Sequence, residues 1–203
     1  MPILRSSCAL LDSPSGTQLL YFPRKRMAVR MDIKIREVTR RDFDGLLRLN
    51  RNMYKEAASN LNFGDWVRLK RPSRGNVLKW FVRLLADVQK GNAVSLMAYA
   101  DGKIAGYCFV RRVEPGTELS HVGELTILVD AAYRGSGIGG KLLDSVIKQS
   151  KRKFEMLRLT VFATNEIAKK LYLGRGFRCF GTEPRAVKRG KKYINMEHYY
   201  RNL

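Results

Sequence analysis

The chain has 203 residues, of which 45% are hydrophobic and 28% charged. That mixture suits one folded domain of ordinary size and excludes an intrinsically disordered chain. No apolar run approaches the roughly 20 residues that a membrane span requires, so no membrane partner is expected. Lysine and arginine number 39 against 18 acidic residues, a formal charge of +21. Such an excess favours acidic or RNA-rich partners, with a generally basic proteome as the competing explanation.

Residues 1–30 carry Pro2, Pro14, Pro23 and the basic run Arg24-Lys25-Arg26, with no sustained period. They read as a disordered or loosely attached extension, with Met27 or Met31 as alternative starts, and residues 31–203 as the folded domain. Cys8, Cys108 and Cys179 lack metal-ligand spacing and are too few for a disulfide framework. The expected setting is a reducing cytoplasm, with Cys108 and Cys179 inside apolar strands.

The domain opens on the alternating strand Ile33-Lys34-Ile35-Arg36-Glu37-Val38. Thr39 and Asp42 resemble a capping box ahead of a helix bearing Phe43, Leu46, Leu47 and Met53-Tyr54. Asn60 to Asn76 read as a basic loop around Trp66. A second helix follows, with Val77, Leu78, Phe81, Leu84, Leu85 and Val88 at helical spacing, ended by Gly91. Strands Ala93–Ala100 and Lys103–Val113 meet at Asp101-Gly102, a strong hairpin signal. His121 to Glu124 lead into the apolar strand Leu125–Val129.

The stretch Arg134-Gly135-Ser136-Gly137-Ile138-Gly139-Gly140 follows that strand and precedes a helix with apolar residues at 138, 142, 143, 146 and 147. Glycines let a backbone approach a ligand closely, and a helix start offers free N–H groups and the positive end of the dipole. Together they suit a pyrophosphate. The glycine spacing fits a dinucleotide fingerprint, but the acidic residue about 20 positions on is missing, and no Gly-Lys-Ser/Thr makes it a Walker A loop. Further on, a strand at Leu157–Phe162 precedes Asn165-Glu166-Ile167-Ala168-Lys169-Lys170-Leu171-Tyr172, with Gly176-Phe177 after it. Arg178–Gly181 reads as a strand, Pro184–Gly190 as a basic connection and Lys192–Tyr200 as the last strand.

The Arg-x-x-Gly-x-Gly turn after a strand, followed at this distance by Asn-x-x-Ala-x-x-x-Tyr-x-x-x-Gly-Phe, resembles the GNAT superfamily of acyl-CoA-dependent N-acetyltransferases. The resemblance covers about residues 33–200. It implies a mixed α/β fold: a mostly antiparallel, seven-stranded twisted sheet flanked by helices, its two central strands splayed around residue 128. It also implies acetyl-CoA as acyl donor. The backbone of Ile127, Leu128 and Val129 would take the pantetheine arm. Arg134, Gly135, Ser136, Gly137, Ile138 and Gly139 would take the pyrophosphate, and Asn165, Ala168 and Tyr172 would complete the cofactor-binding set.

The implied reaction is direct acetyl transfer to a primary amine in a ternary complex. Glu124 is the candidate base for the amine proton, and Tyr172 the candidate acid for the leaving thiolate. The alternative for each is a structural side chain: a strand carboxylate for Glu124, a packing ring for Tyr172. Asp130 is the weaker base and more plausibly ends its strand. Tyr54 and Trp66 are placed on the acceptor wall or in the core, His121 and His198 read as structural, and no metal site is visible. The expected acceptor is a protein or peptide amine, in a monomer or homodimer. A small-molecule amine, or a non-catalytic acyl-CoA sensor or RNA-associated protein on the same fold, are the alternatives.

Overall fold

The computed structural model describes residues 31–60 and 71–203. The expected extension at 1–30 and Trp66 lie outside the described residues. Chain order is β1 (Ile33–Glu37), α1 (Phe43–Ser59), α2 (Arg74–Gln89), β2 (Ala93–Ala100), β3 (Lys103–Arg112), β4 (Val122–Val129), α3 (Ile138–Ser150), β5 (Met156–Phe162), α4 (Glu166–Leu173), β6 (Arg178–Arg189) and β7 (Lys192–Asn202). The strands form one seven-stranded mixed sheet in the order β1-β2-β3-β4-β5-β7-β6. Every neighbouring pair is antiparallel except β4–β5.

Alternation along the strands builds two cores, one on each side of the sheet. On one side, Cys108, Val110, Leu125, Leu157, Leu159 and Tyr199 pack with α3. The α3 residues at 138, 142, 143, 146 and 147 are all buried, as their spacing predicts. Each large apolar side chain buried this way contributes about 2 kcal/mol. On the other side, Met97, Tyr107, Phe109 and Leu128 pack with Leu46, Phe81 and Leu84 of α1 and α2.

Several boundaries differ from the sequence reading; β4, for one, already begins at Val122. The second helix begins at Arg74, before Val77, because Ser73 Oγ accepts from the Asn76 amide at 3.1 Å and starts the helix on the basic segment. β3 ends at Arg112. The larger correction is β6, which runs unbroken through the segment read as the connection 184–190. Pro184 is tolerated there because β6 is an edge strand and the ladder bulges between Glu183 and Val187. The edge position also corrects Cys179, which is exposed, whereas Cys108 is fully buried and burial pushes its thiol up. Among the described residues, no helix is long and apolar enough to cross a membrane.

Candidate active site

β4 and β5 pair only through Val122↔Met156, Gly123↔Leu157 and Glu124↔Arg158. Past Glu124, β4 stays with β3 and β5 stays with β7. The splay therefore opens some four residues before position 128. It widens into a cavity of about 940 Å³ lined by both strands, the glycine-rich turn and α4.

The strand edge facing this gap can be read from its hydrogen bonds. The Asp130 amide donates to Ala105 O and Val122 O accepts from the Val113 amide, so even-numbered backbone groups of β4 face β3. The odd-numbered groups of Leu125, Ile127 and Val129 face the gap. Leu128 therefore turns its backbone away from the gap, and its side chain is buried in the α1/α2 core. Val129 O is already engaged, accepting from Arg134 Nε at 3.1 Å. That leaves the amide and carbonyl of Ile127 and the amide of Val129 on the open edge.

The turn follows from its glycines. Gly135 and Gly137 have φ of 76° and 84°, a region that L side chains rarely adopt. Gly137 caps α3, so the amides of Ile138, Gly139 and Gly140 are the first N–H groups of a 13-residue helix and have no intrahelical acceptor. Ser136 Oγ donates to Tyr133 O at 2.6 Å and tightens the turn. Arg134 braces it from behind, its guanidinium donating to both Glu56 oxygens of α1 at 2.5 and 2.8 Å.

At the opposite wall, Asn165 Oδ1 accepts from the Ala168 amide at 3.1 Å and starts α4. Both residues line the cavity, as does Tyr172, which is only 6% exposed. The Tyr172 ring is held edge-on to Phe177 at 5.8 Å and tilted to Tyr199 at 6.4 Å. Glu124 lines the same cavity at the point where the strands part. It sits in one cross-sheet row with Arg111 and Arg158. Among the described residues, its carboxylate has no hydrogen-bond or ion-pair partner. The structure thus brings Glu124, Ile127, the turn, Asn165, Ala168 and Tyr172 around one cavity.

Other assigned residues do structural work. Asp130 Oδ1 accepts from the Ala132 amide and Oδ2 accepts from Asn52 Nδ2, so it ends β4. His121 Nδ1 lies 2.8 Å from Glu118 O, and His198 faces Glu183 at 3.4 Å. Tyr54 does not line the cavity, whereas Met53, Tyr107, Thr160 and Met196 do. Nothing local in the sequence marks those four. They reach the gap because strand register and the course of α1 carry them there.

The profile of the acetyltransferase (GNAT) family matches residues 56–177, which span the gap, the turn and α4. A curated relative, the L-amino acid N-acetyltransferase AaaT of Escherichia coli K12, is 29% identical over 107 residues, 52% of this chain. The match spans 64% of that relative's length. The crystal structure of a ribosomal-protein-alanine N-acetyltransferase from Brucella melitensis superposes with a TM-score of 0.72 at 23% identity, covering 84% of this chain and 99% of that one. A GNAT superfamily phosphinothricin acetyltransferase from Sinorhizobium meliloti, in complex with acetyl-CoA, gives 0.72 at 16% identity over 84% and 88%. Those structural likenesses establish the fold, and with the profile match over more than half its length the chain belongs to the acetyltransferase (GNAT) family.

Proposed function

We propose that the protein is an N-acetyltransferase that moves an acetyl group from acetyl-CoA to a primary amine by direct transfer in a ternary complex. The observation that carries this reading is the parting of β4 from β5 past Glu124, directly above the glycine-rich turn. The donor set fits the group. The amides of the turn and of the α3 start suit a pyrophosphate, and the open groups of Ile127 and Val129 suit the amide-rich pantetheine arm. Arg134, tied to Glu56 and Val129 O, holds the turn in shape.

Acetyl-CoA supplies an activated acyl group on sulfur, and the residues around the gap manage the protons. An acceptor amine with a pKa near 10 is almost wholly protonated at neutral pH, so its proton must be removed before attack. Glu124, where the two strands part, takes that proton directly or through water. The Tyr172 phenol, fixed by Phe177 and Tyr199, supplies a proton to the departing thiolate.

The acceptor is a protein or peptide amine. The name of the Brucella melitensis protein supports this. A second reading, a free amino acid as acceptor, is favoured by the name of the Escherichia coli relative.

Thiol release measured over a panel of peptides and amino acids, with acetyl-CoA affinity followed by calorimetry, tests the proposal. Tyr172→Phe is expected to lower turnover about 100-fold with acetyl-CoA affinity unchanged, and Glu124→Gln to lower it comparably. Absence of acetyl-CoA binding by the wild type would overturn the assignment. Turnover of amino acids alone would replace the peptide acceptor by the second reading.

A further inference from the structure

The half of the sheet beyond the gap presents a face that catalysis does not use. Arg158, Tyr200 and Arg178 lie in one row across β5, β7 and β6, on the side opposite the α3 core. One step along β7, His198 sits on the same face, paired with Thr160 of the cavity wall. The β6–β7 ladder slips between Cys179 and Gly181, and Phe180 occupies the slip. Its ring stands 5.9 Å from His198 and 5.9 Å from Tyr200, edge-on to the latter at 75°. Phe180 is 62% exposed, and Arg178 is exposed beside it.

Past the buried Met196 and Ile194 the same two strands continue into a basic hairpin, whose Tyr193 turns to the opposite side of the sheet. Between Glu183 and Glu197 there are five basic residues and no acidic one. The Arg185 guanidinium lies over the Tyr193 ring at 4.0 Å, with Lys188 Nζ 5.6 Å from the same ring. Lys191 and Lys192 are exposed at the tip. The nearest carboxylates are partly spoken for: Glu183 faces His198, and Glu197 accepts from Lys169 and Tyr199.

Lysines, a proline and a bulge on an edge strand are a usual defence against unwanted strand pairing. That defence accounts for Pro184 and some of the lysines, but it does not account for a large aromatic ring left open on the same edge. The broken edge also argues against a peptide, because Pro184, the bulge and the positive φ of Arg185 interrupt the ladder a peptide strand would join. What the face does offer is the exposed Phe180 ring against Tyr200, with the guanidinium groups of Arg178 and Arg158 in the same row. Unstacked bases and phosphates need both.

We propose that this face binds single-stranded nucleic acid, with bases stacked on Phe180 and Tyr200 and phosphates paired with Arg178 and Arg158. The bound strand would run past the cavity entrance at Thr160. The site stands whether or not the acetyl acceptor is a peptide.

Fluorescence anisotropy of the full chain with labelled single-stranded oligonucleotides of about 20 uridines or thymidines, over a salt series, tests it. Calorimetry with acetyl-CoA checks that each variant is folded. Phe180→Leu is expected to weaken binding about 10-fold, the effect of losing one stacked base, with the salt slope unchanged. Phe180→Trp is expected to retain binding. The double variant Arg178→Ser, Arg158→Ser is expected to make the log-log salt slope shallower by about 1.4, at roughly 0.7 per phosphate contact on single strands. The RNA and DNA arms distinguish the two sources of the ligand. Wild-type affinity in Phe180→Leu would overturn the proposal, because charge alone would then explain binding. So would tighter binding of a duplex, or displacement by polyglutamate as effective as by unlabelled oligonucleotide, which would mark the face as one for acidic proteins.

Discussion

Asp42 shows how one side chain can hold the start of the domain together. It is buried, and its carboxylate accepts from Arg36 Nη1 and Nη2 at 3.0 and 2.7 Å, from the Thr39 amide at 2.7 Å and from the Tyr99 hydroxyl. Burial pushes its pKa up, but the hydrogen bonds from Arg36, Tyr99 and Thr39 outweigh burial and hold it below the usual carboxylate range. Tyr99 is pushed up to about 12, by burial first and then by Asp42. The signs give two edges of stability. In acid, the unfolded carboxylate, near 3.9, takes a proton before the folded one, so this contribution is complete above about pH 4 and is lost as pH falls further. In alkali, the unfolded tyrosine loses its proton first, so stability drops between about pH 10 and 12. Urea midpoints across that range should show both shoulders. Asp42→Asn should cost about 2 kcal/mol, less than a fully buried pair because Arg36 is half exposed, and should flatten the acid shoulder.

Among the elements, β3 and β4 decide the shape of the gap, and Gly106 decides how closely they lie. A Cβ at Gly106 would stand 2.6 Å from Leu128 O, a backbone atom that cannot swing aside. Gly106→Ala should push β4 outward at Ile127 and Val129, destabilise the fold by about 2 kcal/mol and weaken acetyl-CoA binding measured by calorimetry. Unchanged affinity would refute this link between strand spacing and ligand. This contact also marks the limit of sequence reading. The turn at 134–140 and the helix that carries Tyr172 are legible because their signals are local: glycines at fixed offsets, and the Asn-x-x-Ala-x-x-x-Tyr spacing that resembles the family's. The Gly106–Leu128 contact and the Glu56–Arg134 pair, 78 residues apart in sequence, have no local signature and exist only once the sheet register is set. The full length of β6 escapes a sequence reading for a related reason. Pro184 reads as a breaker in isolation, and only the topology reveals an edge strand that accepts it.

At the scale of the whole molecule, the charge of +21 means that compaction gathers like charges, which favours the expanded chain. Added salt screens this repulsion, with a Debye length near 10 Å at 0.1 M. Raising salt from about 20 mM to about 0.5 M should therefore raise the melting temperature, by about 3 °C for each kcal/mol of repulsion removed. A falling melting temperature would show that ion pairs such as Arg134–Glu56 and Arg175–Asp144 outweigh the net repulsion.

The parting of β4 from β5 carries a liability as well as a use. The amide and carbonyl of Ile127 and the amide of Val129 stand unpaired in the middle of a sheet, a kind of edge on which another chain can add a strand. Acetyl-CoA, by occupying that edge, would act as a folding companion as well as a reactant. The ligand-free protein is therefore expected to aggregate more readily. Light scattering on slow heating should show clouding suppressed by acetyl-CoA at concentrations well above its dissociation constant, and to a greater degree than the accompanying rise in melting temperature explains.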